Sequence, residues 1–176
     1  MKLKLLVCIA SILGLAVQGR SQSGPAPDVV NHIHKEVRHE LLMLPYLGVF
    51  DNVAFKLDGY DVTLSGQVTR PLLKSDAGTA VKQIEGVEHV NNEIEVLPLS
   101  PFDDGLRLRL FHAIYNYAPL QKYALGVNKP IRIIVNNGHV NLEGVVDNEA
   151  DKNLAGIRAN GVSDVFSVRN NLRIMN

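Results

Sequence analysis

A chain of 176 residues admits one medium domain or two small ones. With 46% apolar and 20% charged residues it has the means to bury a core and is not a disordered chain. Eighteen basic side chains against eighteen acidic ones exclude the strong positive field of a nucleic-acid binder.

The N-terminus reads as an export leader. Lys2 and Lys4 give a positive start, and Leu5 to Val17 form an apolar run too short to span a bilayer comfortably. Val17-Gln18-Gly19 offers small residues for cleavage, so residues 1–19 are read as a signal peptide. The sole cysteine, Cys8, lies in that leader, which leaves the mature chain without a disulfide, thiol nucleophile or thiolate metal site. Loss of Lys2 and Lys4 leaves 16 basic against 18 acidic residues. Residues 20–27, rich in Ser, Gly and Pro, read as a flexible spacer.

Asp28 is placed to cap a first helix, with Val30, Ile33, Val37, Leu41 and Leu44 forming its apolar stripe until Pro45. Val53 to Leu57 alternates as a strand, Asp58-Gly59 marks a turn, and Val62 to Val68 returns with Gly66 inside it. Pro71 suits the first turn of a second helix, which runs to about Ile84. A third strand is expected over Val87 to Leu97. The proline-bearing stretch 98–103 is then a short linker.

The pattern recurs. Val62-Thr-Leu-Ser-Gly-Gln-Val68 returns 78 residues later as Val140-Asn-Leu-Glu-Gly-Val-Val146. Sliding the chain by this offset without a gap also pairs His34 with His112, Leu42 with Leu120, Leu47-Gly48-Val49 with Leu125-Gly126-Val127, and Asn92 with Asn170. A period this long means tandem domains, not a solenoid. Asp103 or Asp104 should cap a helix to about Tyr117, although Leu106-Arg107-Leu108-Arg109-Leu110 taken alone alternates like a strand. A hairpin over 131–146 turns at Asn136-Asn137-Gly138. Asp147 caps a last helix to about Asn160, and Val165 to Ile174 closes the unit.

The expected fold class is therefore α+β. It comprises two tandem α-β-β-α-β units, over 28–97 and 104–176, each a mixed three-stranded sheet with two helices on one face.

These residues resemble the BON domain family. The resemblance rests on the Val-x-Leu-x-Gly-x-Val strand in both units, the start of the second helix, and the closing Gly86 to Ile94 and Val165 to Leu172. It implies a non-enzymatic periplasmic or secreted module that attaches to phospholipid surfaces, with a role in osmotic or envelope stress. It supplies no catalytic residue, and it implies structural roles for Gly66, Gly144, Asn92 and Asn170.

The residues themselves add one candidate surface. Arg107, Arg109, Tyr115, Tyr117, Lys122 and Tyr123 mix cations with aromatics, a mixture suited to the level where lipid phosphates meet acyl chains. The competing reading packs the tyrosines between the two units. Glycines inside strands mark bulges or close approaches, and a strand asparagine can satisfy loop backbone groups. His32, His34 and His39 lie on the first helix without a metalloprotease spacing and are read as a solvated face. Neither a nucleophile elbow nor a phosphate loop or dinucleotide fingerprint is present. The expectation is no enzyme, no metal and no cofactor. The partner is an envelope phospholipid surface or, in the rival reading, client or envelope proteins bound without lipid dependence.

Overall fold

The computed structural model describes residues 26–126 and 128–175. The proposed leader, and all but the last two residues of the spacer, lie outside the described residues. Helix α1 (Pro27–Leu42) leads to the hairpin β1 (Asn52–Asp58) and β2 (Asp61–Val68), then α2 (Pro71–Lys82), β3 (His89–Asn92) and β4 (Glu95–Val96). The second half repeats the order. It runs α3 (Pro101–Tyr115), a 3-10 segment Ala118–Ala124, β5 (Ile131–Asn136), β6 (His139–Val146), α4 (Glu149–Asn160), β7 (Ser167–Asn170) and β8 (Arg173–Ile174).

In each half the hairpin is antiparallel, and the last strand joins β2 or β6 in parallel. That last strand is broken in two, because β4 and β8 resume the pairing after a two-residue interruption. The mixed sheet forms as expected, with its third strand split. Val62, Leu64 and Val68 face Ile33, Val37 and Leu41 of α1 and Leu73, Ala77 and Val81 of α2, all buried. The second core is built alike from Leu106, Leu110, Ile114, Val140, Leu142, Val146, Ala155 and Ala159. The four-residue spacing of Ile33, Val37 and Leu41, repeated by Leu106, Leu110 and Ile114, puts one stripe of each first helix on its sheet.

Helix starts differ from the expected ones. α1 begins at Pro27 with no side-chain cap, and Asp28 sits in its first turn. α3 is capped by Ser100, whose hydroxyl accepts from the Asp103 amide at 3.2 Å. Asn148, not Asp147, caps α4 by accepting from Asp151 at 2.8 Å. Buried Asp103 instead accepts from the Asn137 and Gly138 amides at 2.8 and 2.9 Å, tying α3 to the β5–β6 turn.

The ungapped repeat also needs correction. Nine residues separate α1 from β1, but fifteen separate α3 from β5, the extra length holding the 3-10 segment. The 78-residue offset therefore relates the strands and the second helices, not the first ones. The matches His34/His112 and Leu42/Leu120 join positions that are not equivalent.

The loop after α1 binds the two halves together. Asp51 is buried and accepts from the Gly48 amide at 2.8 Å and from the Thr69 amide and hydroxyl at 2.7 and 2.8 Å. That shape presents two carbonyls to the edge of β5. Val49 accepts from the Ile133 amide at 2.8 Å, and Gly48 from the Arg132 guanidinium at 2.7 Å. Phe50 sets its ring edge-on to Phe111, centroids 6.4 Å apart, and packs with Val49 against the second core. Among the described residues no helix is long and apolar enough to cross a membrane.

Candidate functional site

Of the six residues proposed for the lipid surface, Tyr117 is partly buried against the second core, and the other five do not form one outward surface. Arg107 is only 4% exposed. It donates to the Asp104 carboxylate at 2.5 Å and to the Val135 carbonyl at 2.7 Å. Tyr115 and Tyr123 are buried as well. The Tyr115 hydroxyl donates to the Ile131 carbonyl at 2.5 Å, and burial pushes it well above the ordinary phenol range, a rise that this bond and Arg132 only partly offset.

Lys122 is half-exposed, but it is bound to Asp147 at 2.6 Å and Asp151 at 2.7 Å. Tyr123 donates to Asp151 at 2.6 Å and accepts from the Asp147 amide at 2.8 Å. Lys122, Tyr123, Asp147 and Asp151 thus clamp the 3-10 segment onto the start of α4. Burial alone would raise the Asp151 carboxyl; hydrogen bonds from Lys122, Tyr123 and Asn148 outweigh it and hold the group below the usual carboxylate value. Arg109 alone of the five keeps an outward position without a clamp, paired loosely with Asp164 at 3.1 Å. The reason is helical phase. Asp103, Leu106, Arg107, Leu110 and Ile114 recur at three and four and form the inward side, so Arg107 and Arg109 point apart.

What α3 does present is apolar. Phe102 and Leu108 are exposed and flank Arg109 and His112 on the outward arc of the helix. Phe102 stacks on Phe166, centroids 6.3 Å apart, and Phe166 remains 69% exposed. Leu99, just before the helix, is 94% exposed. Leu99 and Leu108 line a cleft between the two halves, together with Phe50, Arg70 and Arg107. α1 leaves Val29 and Leu42 39% and 40% exposed at its two ends, whereas α3 leaves Phe102 and Leu108 46% and 55% exposed on one arc. The strand-like alternation Leu106-Arg107-Leu108-Arg109-Leu110 was the available signal, because Leu108 is the one leucine of the three that faces out. Phe166 is likewise exposed, while Val165 and Val168 pack on the core.

The four motif residues act on the fold. Gly66 and Gly144 have φ of +114° and +117°, and a Cβ on either would strike the carbonyl oxygen of Asn52 or Pro130. The crowding partner is thus the neighbouring strand and not a helix. Asn92 donates to the Lys74 carbonyl at 2.7 Å and accepts from the Ile94 amide at 3.2 Å. Asn170 repeats this with Lys152 at 2.7 Å and Leu172 at 3.3 Å. Each amide spans the break in the third strand and pins it to the second helix. Sequence reasoning passed over Gly78 and Gly156, which make room for these amides and are themselves 78 apart. On α1, His32, His34 and His39 are exposed, with the His34 ring against Phe55, centroids 5.0 Å apart.

Comparison with known proteins follows the same division. Among solved structures, the chain is similar to the C-terminal domain of CdsD, a structural protein of the type III secretion system of Chlamydia trachomatis. Identity is 14% over 84% of this chain and 98% of that one, with a TM-score of 0.29. A second CdsD structure is 13% identical over 83% and 93%, with a TM-score of 0.29. No curated protein matches the chain. The BON domain model matches residues 30–98 and 122–176, which leaves α3 and the start of the 3-10 segment outside the match. With two matches that together take in well over half of its length, one on each sheet, the chain belongs to the BON domain family.

Proposed function

We propose that this protein is an exported, non-enzymatic module that attaches reversibly to envelope phospholipid through the outward side of α3. BON domains are associated with phospholipid membranes in general, and BON proteins are typically periplasmic. The observation that supports this reading is the two-sided apolar character of α3, with Phe102 and Leu108 exposed on the helix and Leu99 and Phe166 exposed beside them. A helix buried on one side against its own sheet has no internal use for a second apolar side. Complete burial of one such side chain gives about 1.5–3 kcal/mol, and these are already partly covered. A basic residue near an anionic surface adds roughly 1 kcal/mol. Attachment is accordingly weak, reversible and salt-sensitive.

The test is co-sedimentation of the mature protein with phosphatidylglycerol or phosphatidylcholine vesicles. Binding at low salt that is lost in Phe102→Asp and Leu108→Asp, with unchanged circular dichroism, supports the reading; no binding at low salt ends it. The same exposed side chains also suit a protein client. That second reading is favoured if the two variants lose suppression of client aggregation while vesicles have no effect.

A further inference from the structure

A second groove lies between the halves. It encloses about 600 Å³ and is lined by His34 and Arg38 of α1, by Asp51 to Phe55 along β1, by Arg132, by Glu143 and Gly144, and by Asn171 and Arg173. Side chains of a strand alternate between faces, so four consecutive lining residues of β1, Asn52 to Phe55, mean that it presents its backbone edge here. Among the described strands β1 pairs with β2 alone, and its other edge is open.

The molecule already fills the equivalent edge once. The two hairpins share one register, Phe55 opposite Leu64 and Ile133 opposite Leu142. The Ile133 amide points away from β6 and donates to the Val49 carbonyl, while the Arg132 side chain holds the Gly48 carbonyl beside it. By that register the Phe55 amide points away from β2, into the groove. No chain segment among the described residues lies there as Gly48-Val49 lies on β5.

The charge of the groove selects an occupant. Arg38, Arg132 and Arg173 come from three separate elements, and none has a carboxylate within 4 Å among the described residues. The two acids that line it are engaged, Asp51 by Gly48 and Thr69 and Glu143 by the Asn171 amide at 2.6 Å. An open strand edge beside guanidinium groups that lack a carboxylate partner, one of them (Arg132) already holding the Gly48 carbonyl, fits an extended acidic segment better than a compact anion, because the edge supplies main-chain bonds and the arginines select carboxylates.

We infer that this groove binds an extended, acidic peptide segment of a partner protein, which adds as a strand to the open edge of β1 with its carboxylates on Arg38, Arg132 and Arg173. The site is separate from the α3 surface, and its fate does not depend on lipid attachment.

Fluorescence anisotropy on the mature chain tests it. The probe is a capped peptide of about seven residues that alternates Glu with Val and Thr, long enough for one strand. Its controls are the same peptide with Lys for Glu and the same peptide N-methylated at alternate backbone amides. The acidic peptide is expected to bind, to weaken on raising salt, and to lose about tenfold or more in affinity in Arg38→Glu and in Arg173→Glu, both exposed positions. Leu108→Asp should leave that affinity unchanged. No binding of the acidic peptide at low salt overturns the inference, as does equal binding of the lysine or N-methylated peptide. Phosphatidylglycerol vesicle binding lost in Arg38→Glu and Arg173→Glu, yet kept in Leu108→Asp, would give the groove to lipid and overturn it too.

Discussion

A Cβ placed on Gly78 would lie 2.8 Å from Nδ2 of Asn92, the same atom that donates to the Lys74 carbonyl. The helix is thinned at one residue so that a strand amide can reach its backbone, and Gly156 and Asn170 repeat the arrangement at 2.9 Å. In a helix interior Gly→Ala ordinarily gains about 1 kcal/mol. Here it displaces an amide whose two hydrogen bonds are worth about 1 kcal/mol each. Gly78→Ala should therefore destabilise the wild-type protein by about 1 kcal/mol, yet stabilise an Asn92→Ala background. Urea unfolding of the four-member cycle checks this, and a coupling near zero would separate the two residues.

Gly144 and Gly126 separate two costs that are often confused. Both hold positive φ, +117° and +87°, but a Cβ on Gly126 meets nothing within 4 Å, whereas one on Gly144 meets the Pro130 carbonyl. Gly126→Ala should cost about 1 kcal/mol of backbone strain. Gly144→Ala should cost more than about 3 kcal/mol, since two strands must move apart. Gly66→Ala, against the Asn52 carbonyl, should behave like Gly144→Ala. Denaturation midpoints of the three variants are the measurement.

Two buried groups, Asp151 and Tyr115, contribute to the acid and alkaline limbs of the stability profile. Hydrogen bonds hold the folded Asp151 carboxyl below its unfolded value of about 3.9. Its contribution is present above about pH 4 and is lost as pH falls through the lower folded value. Asp151→Asn should flatten that limb. Tyr115 is raised by burial above its unfolded value of about 10. Its contribution is complete below about pH 10 and fades as pH climbs through the higher folded value. Tyr115→Phe should cost about 1 kcal/mol at neutral pH, from the lost bond to Ile131, and shrink the alkaline limb, to which Tyr123, also raised by burial, contributes. Thermal melts from acid to strong alkali distinguish the three proteins.

How much of this was legible beforehand follows from where the repeat is exact. The hairpins, α2 and α4 share one offset and one pattern, so Val62 to Val68 located Val140 to Val146 without ambiguity. The asparagines were readable because a polar side chain inside an apolar alternation needs a partner. The first helices were readable as helices but not as equivalents under that offset, since the longer connection before β5 shifts them out of the common register. Arg107 illustrates the remaining gap. Nothing local distinguishes it from Arg109, and its burial depends on a carbonyl at the far end of β5, Val135, contributed 28 residues later. Asp103 was taken for a cap on the same grounds, while its carboxylate in fact closes a distant turn. Tertiary partners decided both, and local composition carries no record of them.

Val49 and Phe50 belong by sequence to the first unit and by packing to the second. The two copies are thus not exchangeable cassettes. Reversing their order, or producing the C-terminal half by itself, would strip a lid from that half's interior and leave the Ile133 amide to water. Heating should accordingly give one calorimetric endotherm for the intact chain, because loosening the leading copy uncorks the trailing one.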